Sequence, residues 1–241
     1  MRLKRALLGV HKWIAVIVGV QLFVWTLSGL VMSFLPIEKV RGEDHIAAQT
    51  PVPLDGATGL IGADAAIAAS GGGVTAATLT RVAGDPVWEL RKADGGAALV
   101  DARSGALLSP IGEALARRVA AADFSGEGAI VSAELVTAEG GDYRGRLPAW
   151  RVSFADPDET RLYVAANDGR IAARRTATWR FYDFFWMLHI MDYETRENFN
   201  TPWLVLFSLG GLAVAFTGLP LLWYAVARPL LARRRPRSYP A

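Results

Sequence analysis

The residues best suited to chemistry in this 241-residue chain are its three histidines, His11, His45 and His189. An imidazole can bind a metal ion, transfer a proton or remain hydrated at an interface. His11 stands just before one long apolar segment, and His189 stands some dozen residues before another. Both are therefore candidate ligands at a membrane boundary. His45 lies in a polar segment with no obvious partner, and we predict that it is solvated.

The chain contains no cysteine. This excludes disulfides, thiolate metal sites, iron–sulfur clusters and covalently attached c-type haem. Motifs of serine hydrolases, phosphate-binding loops, dinucleotide-binding folds and zinc proteases are also missing. Asp156, Asp158 and Glu159 offer carboxylates, but the regular spacing of a calcium loop is lacking, and we predict a turn there. Redox chemistry would need a non-covalent cofactor.

Two uncharged apolar segments, residues 14–35 and 203–226, are the elements that must position these histidines. Each exceeds 20 residues, and at 1.5 Å rise per residue it covers the roughly 30 Å hydrocarbon core of a bilayer. We predict transmembrane helices over residues 13–35 and 202–226. The first resembles an uncleaved signal anchor, because its apolar run is longer than that of a secretory signal peptide, which is the alternative.

Charge divides the chain into three parts. Nine basic residues and no acidic residue flank the two apolar segments on their outer sides, in residues 1–12 and 227–241, whereas the segment between them carries 17 basic and 23 acidic residues. The positive-inside rule places both termini in the cytoplasm and the intervening domain outside. The basic tails are suited to anionic lipid headgroups, and nothing indicates nucleic-acid binding.

The outside domain repeats one pattern, in residues 36–110 and again in residues 111–177. Each copy has a helical stretch, a strand bearing a tryptophan, a turn, and a second strand ending at a glycine. In the first copy these are residues 62–69, 86–92, 94–96 and 97–102; in the second they are residues 111–122, 148–154, 156–158 and 161–165. Apolar residues two apart predict strands, and Asp-Gly pairs predict tight turns. The expected fold is membrane α+β, with a helix laid on an antiparallel sheet in each repeat.

These residues resemble a known family. The ending Val100-Asp101-Ala102-x-x-Gly105 is similar to that of the PepSY domain, although the second copy has Ala165 where the aspartate would stand. The pairs Ser28-Gly29 and Thr217-Gly218 and the histidines before each span resemble the PepSY-associated transmembrane family, of which this would be a small two-span member. The resemblance implies a bacterial cytoplasmic-membrane protein with a periplasmic domain. It also implies a role in reducing ferric siderophores with b-type haem, and hence in iron uptake.

His11 and His189 are the candidate haem ligands, and we expect no metal beyond the haem iron. From His11 to Pro36 a helix would rise about 37 Å, so the two imidazoles are expected near opposite faces of the bilayer, and one chain cannot hold one iron between them. A parallel two-fold dimer could bring each histidine to its symmetry mate and stack two haems across the membrane. Haem shared with a multi-span membrane partner is one alternative. The other is a non-enzymatic module that binds a periplasmic protein or inhibits a protease. Whether the chain is an enzyme stays open.

Residues 178–200 form an aromatic segment that predicts an interfacial helix, since aromatic rings concentrate at headgroup depth. The rings of its residues 178–193 are Trp179, Phe181, Tyr182, Phe184, Phe185, Trp186 and Tyr193. Alternatively, these rings line a haem edge, with Arg180 or Arg196 pairing to a propionate or another anion. Small residues at Gly29-x-x-x-Ser33 and Gly211-x-x-x-Ala215 predict helix pairing, either between chains or between the two spans.

Overall fold

The structure is a computed structural model that describes residues 2–48, 58–228 and 230. Most of the basic tail predicted to be cytoplasmic, residues 227–241, lies outside the described residues. The chain divides into two compact units, one of Met1–Leu35 with Tyr182–Ala241 and one of Pro36–Phe181. The first contains both long apolar helices, and the second corresponds to the predicted outside domain.

The elements alternate between helices and antiparallel strands in the described chain. In order they are α1 (Arg2–Phe34), α2 (Ile37–Val40), a 3-10 turn (Glu43–His45), α3 (Ala63–Ala69), β1 (Val74–Val82), β2 (Asp85–Lys92), β3 (Ala97–Asp101), α4 (Glu113–Asp123), β4 (Ile130–Val136), β5 (Ala149–Phe154), β6 (Arg161–Ala165), β7 (Ile171–Arg175), α5 (Ala177–Ile190), α6 (Pro202–Leu222) and a π turn (Trp223–Ala227).

Two helical segments, Leu8–Phe34 and Pro202–Val226, are long and apolar enough to cross a membrane. Most of their large apolar side chains are exposed, as expected of helices whose outer faces contact lipid. The second helix begins sharply, because Thr201 accepts a hydrogen bond from the Leu204 amide at 3.2 Å and Pro202 occupies the first turn. The prediction of two potentially membrane-spanning helices is confirmed.

Helices α1 and α6 pack through glycines. A Cβ atom built on Gly210 would lie 2.6 Å from Cγ2 of Val18, and one built on Gly211 would lie 4.0 Å from Cδ2 of Leu22. Val18 is 5% exposed. The close contact of α6 with α1 within one chain is thus made at Gly210, next to the predicted motif at Gly211, while Gly29 of the other motif lies against His189 of α5.

The second unit contains two separate antiparallel sheets, of order β1-β2-β3 and β4-β5-β6-β7. The predicted strand pairs are present as β2–β3 and β5–β6. Strands β1, β4 and β7 were not predicted. The Gly71–Gly73 segment was expected to lead through a linker to β2, but it is followed directly by β1, so each half has a helix and at least three strands.

The two halves of this unit contain equivalent hydrogen bonds at corresponding positions. The Trp88 indole donates to the carbonyl of Ile61 at 3.1 Å, and the Trp150 indole donates to that of Ile111 at 2.8 Å. In each case the accepting residue precedes the helix of that half. The final turns also correspond, because Gly105 donates to Asp101 and Gly169 to Ala165. These bonds give the repeated tryptophans a structural role in fixing each helix on its sheet.

The two sheets share one core around α4. Ala116, Val119 and Ala120 of this helix pack in a cluster with buried residues from both sheets, namely Val87, Leu99, Val152, Phe154, Leu162 and Val164. The opposite face of the first sheet packs on α3, where Ala66 contacts Leu90, Ala98 and Val100. Burial on both faces explains why β3 is almost wholly apolar. The halves thus form two sheets around one core.

Candidate functional site

His11 lies on α1 against a Thr-Gly pair of α6. Its Nδ1 is 2.9 Å from Oγ1 of Thr217, and a Cβ on Gly218 would lie 3.1 Å from its Cε1. The Thr217 hydroxyl donates to the carbonyl of Ala213 at 2.7 Å, so its oxygen must accept from the imidazole. We therefore assign the proton of His11 to Nδ1. Nε2 has no hydrogen-bond partner among the described residues.

His189 lies near the end of α5 against a Ser-Gly pair of α1. Its Nδ1 is 3.1 Å from Oγ of Ser28 and 3.2 Å from the carbonyl of Trp25, and a Cβ on Gly29 would lie 3.2 Å from its Cε1. The Trp25 indole donates to Nε2 of His189 at 3.2 Å. Since an indole nitrogen can only donate, Nε2 is the acceptor and Nδ1 carries the proton.

The two histidines thus occupy matching environments. Each donates from Nδ1 to a hydroxyl of a neighbouring helix and packs its Cε1 on the adjacent glycine. The resemblance had singled out the pairs Ser28-Gly29 and Thr217-Gly218, but the sequence did not show that each receives a histidine. The difference lies at Nε2, which the Trp25 indole occupies only in His189.

His189 was predicted outside the spans, yet its imidazole contacts Ser28, which precedes the end of α1 at Phe34 by six residues. At 1.5 Å per residue this contact is about 9 Å inside the helix end. The contact of His189 on α1 is then about 25 Å along the helix from His11, since Ser28 is 17 residues after it, whereas a position at the outer helix end was predicted. One chain still cannot place both imidazoles on one iron.

A shallow groove of about 280 Å³ lies beside His189 and is lined by Trp25, Thr26, Gly29 and His189 itself. It is smaller than a typical pocket for a drug-sized ligand or cofactor, about 300–1,000 Å³. The groove of one chain lies just below the lower end of that range, so it is small for a large planar cofactor.

The two arginines predicted to contact an anion already have carboxylate partners. Arg180 donates to Glu159 at 3.0 Å and lies 3.7 Å from Asp142. Arg196 pairs with Asp183, whose side chain is 6% exposed. An incoming anion would have to compete with these ion pairs, which makes a structural role the simpler interpretation of both arginines.

Asp142 is the centre of a polar network at one end of the second sheet. It accepts hydrogen bonds from the Tyr163 hydroxyl at 2.5 Å and from Arg161 at 3.1 Å. Burial by itself would raise the pKa of Asp142, but the Tyr163 hydroxyl and the Arg161 charge outweigh it, so this pKa is lowered. Burial and the Asp142 carboxylate raise the pKa of Tyr163.

The predicted aromatic segment forms α5 and the turn after it. The helix ends at Ile190, and Met191 adopts a positive φ of 53°. The Asp192 carboxylate then accepts hydrogen bonds from the hydroxyl and amide of Thr195 and from the amides of Glu197 and Asn198. These bonds, led by the Thr195 hydroxyl, lower the pKa of Asp192. These hydrogen bonds order the turn that connects α5 to α6.

His45 is not solvated, contrary to the prediction. Its Nε2 is 3.2 Å from Oδ2 of Asp158, its Nδ1 is 3.3 Å from Oγ1 of Thr160, and its ring lies 6.0 Å from that of Phe124. These partners are distant in sequence, since Thr160 is 115 positions after His45. No local pattern around His45 could have identified them.

A polar pocket of about 430 Å³ lies in the second unit, between β1, α4 and the turn that precedes β7. Its charged lining consists of Arg81, Glu89, Asp123, Asp168, Arg170 and Arg174. Arg170 pairs with Glu89 and Arg174 pairs with Asp123. The mixture of charges suits a polar ligand carrying both donors and acceptors.

No family model, curated protein or solved structure matches this chain. The geometry of the histidines and of the folded domain is therefore the basis for inferring function.

Proposed function

We propose that this chain is a PepSY-like bacterial membrane protein that holds haem b at His11 and His189 and transfers electrons across the cytoplasmic membrane. One observation carries the proposal. Each imidazole donates from Nδ1 to a hydroxyl of a neighbouring helix, which leaves Nε2 as the coordinating nitrogen. Histidines that bind metals in proteins are commonly held through their other ring nitrogen in this way.

The two histidines fit a haem to different degrees. Nε2 of His11 has no partner among the described residues, so coordination there breaks no hydrogen bond. Nε2 of His189 accepts from Trp25, so this indole must rotate before His189 can coordinate iron. Breaking one such bond costs about 1 kcal/mol, which is small beside a coordination bond.

A second copy of the chain would complete each site. The groove at His189 is small for a haem, about 280 Å³, and a bis-histidine site needs two imidazoles at one iron. A parallel two-fold dimer supplies the second imidazole at each level, His11 with His11 and His189 with His189.

The remaining residues would orient these ligands. Thr217 and Ser28 fix the plane and tautomer of the imidazoles, while Gly218 and Gly29 leave room for the rings to lie close to the helix backbone. When bound, haem iron accepts and releases one electron at a time. The electron donor would be a cytoplasmic reductant or a quinone, and the acceptor a ferric chelate on the periplasmic domain.

The absorption spectrum of the purified full-length protein tests this proposal. We expect Soret and α bands of bis-histidine haem, with haem content falling in His11→Ala and in His189→Ala. His45→Ala is the matched control, because it removes an imidazole that lies in the other unit. Trp25→Phe should raise haem occupancy at His189, since it removes the competing indole donor. Wild-type protein with no haem bands after expression with ample haem would refute the proposal.

A second candidate function is a non-enzymatic binding module, in which the periplasmic domain recognises a protein or a small polar ligand. The observation that favours it is the 430 Å³ pocket together with the occupied Nε2 of His189. A photo-crosslinking amino acid at Thr80, on the pocket lining, tests it in cells. A discrete adduct that Arg170→Glu abolishes is expected, and the absence of any adduct would count against this candidate.

A further inference from the structure

A second group of possible metal ligands lies in the Pro36–Phe181 unit. His45, Asp156 and Asp158 each offer one ligand atom, and these three atoms lie within 4.8 Å of one another. His45 comes from the 3-10 turn after α2, whereas the two aspartates come from the turn between β5 and β6. We propose that these three residues bind a first-row divalent transition-metal ion, with Zn²⁺ as the representative case.

Hydrogen bonding around Thr160 decides which atoms are available. Its hydroxyl donates to Oδ2 of Asp156 at 2.6 Å, so its oxygen accepts from Nδ1 of His45. Nε2 then faces Oδ2 of Asp158, 3.2 Å away. A positive charge between these two atoms stabilises them at this distance, and either a proton on Nε2 or a metal ion in its place can supply it.

The spacing agrees with coordination. Ligand atoms at about 2.0–2.1 Å from a tetrahedral zinc are roughly 3.3 Å apart, close to the 3.2 Å between His45 and Asp158. The ligand atom of Asp156 lies within 4.8 Å of the other two and would be the third ligand. Three protein ligands leave a fourth position for water, as in open zinc sites.

The electrostatics also favour a cation. No lysine or arginine among the described residues pairs with the carboxylate of Asp156 or Asp158, and Asp44 adds a third carboxylate 3.9 Å from Nε2 of His45. One nitrogen and two carboxylate oxygens suit zinc, manganese or iron(II) better than calcium, which prefers six to eight oxygen ligands.

The site is held in position from both sides. The carbonyl of His45 accepts from the amide of Ser125 at 3.0 Å, and the ring packs beside Phe124. Both oxygens of Asp156 accept hydrogen bonds from Thr160. Thr160 is therefore a positioning residue that orients two of the three ligands, as residues behind metal ligands commonly do.

Zinc binding to the full-length protein in detergent, stripped with a chelator and freed of any tag, tests the proposal. We expect about one Zn²⁺ per chain by equilibrium dialysis and elemental analysis, with affinity at least about tenfold weaker in His45→Gln and Asp158→Asn. Asp94→Asn, at an exposed turn, is the matched control and should bind like the wild type. Substitution of Co²⁺ should give visible absorption bands that change in Thr160→Val.

The result also separates this site from the proposed haem sites. His45→Gln should lose zinc and keep any haem, whereas His189→Ala should keep zinc. Because the Asp158 side chain is 41% exposed, Asp158→Asn should fold normally and report on binding even where His45→Gln does not. Equal zinc affinity in the wild type and Asp158→Asn, or calcium binding that does not depend on His45, would overturn the proposal.

Discussion

Replacing Gly210 by alanine is the sharpest test of how the two apolar helices pack. The new Cβ would lie 2.6 Å from Cγ2 of Val18, whereas carbon atoms in good contact are about 3.5–4.0 Å apart. The overlap is thus about 1 Å, and relieving it requires the helices to separate or Val18 to leave its rotamer. Overpacking of this kind costs about 1–3 kcal/mol.

Two matched controls carry the same substitution in the same unit. Gly19→Ala meets nothing within 4 Å, and Gly211→Ala meets only Leu22 at 4.0 Å. Both should be neutral or slightly stabilising, because alanine favours helix over glycine by up to about 1 kcal/mol. The free energy of unfolding in mixed SDS micelles, followed by tryptophan fluorescence, should rank Gly210→Ala below both.

The double variant Val18→Ala with Gly210→Ala tests whether the clash with Val18 causes the loss of stability in Gly210→Ala. Shortening Val18 removes the atom that clashes, so the double variant should recover part of the lost stability. Equal unfolding free energies for Gly210→Ala and Gly19→Ala would refute the described packing of α1 on α6.

Three further predictions concern particular hydrogen bonds. The pKa of Asp142 is lowered in the folded domain, so its contribution to stability is present above the unfolded-state pKa near 4 and is lost as the pH falls through the folded value. Asp142→Asn should therefore weaken the dependence of thermal stability on pH in the acid range and cost about 2–3 kcal/mol at neutral pH. An unchanged pH dependence in this variant would contradict the prediction. Trp150→Phe removes the indole bond to Ile111 and should lower the unfolding free energy by about 1 kcal/mol, with Trp150→Ala as the larger comparison. Thr217→Val should release Nδ1 of His11 and weaken any haem binding about 10- to 100-fold, seen by haem titration; full affinity in this variant would mean that Thr217 does not orient the ligand.

Local patterns in the sequence predicted much of the architecture. Long uncharged runs predicted α1 and α6, and alternation beside Asp-Gly turns predicted the pairs β2–β3 and β5–β6. Strands β1, β4 and β7 were not predicted, because edge strands are paired on one side only and their apolar and polar residues need not alternate. The last of them, Ile171–Arg175, consists largely of alanine and arginine. Their strand state depends on a partner strand more than on their own composition.

The candidate sites were predicted only in part. His11 and His189 were recognised as residues, but their glycine and hydroxyl partners lie on other helices, 206 and 161 residues away. His45 was named, but its partners were not identified, since Asp158 and Thr160 lie near it only in the folded domain. Side-chain type indicates possible chemistry, and tertiary contacts decide which nitrogen is available for it.

The membrane topology is the claim on which the proposed electron transfer depends, and the absence of cysteine allows it to be measured directly. Single substitutions Glu139→Cys, in the folded domain, and Arg237→Cys, in the basic tail, can be labelled in spheroplasts with a membrane-impermeant maleimide. We predict labelling of Glu139→Cys in intact spheroplasts and of Arg237→Cys only after permeabilisation. Labelling of Arg237→Cys in intact spheroplasts, or protection of Glu139→Cys, would contradict the account.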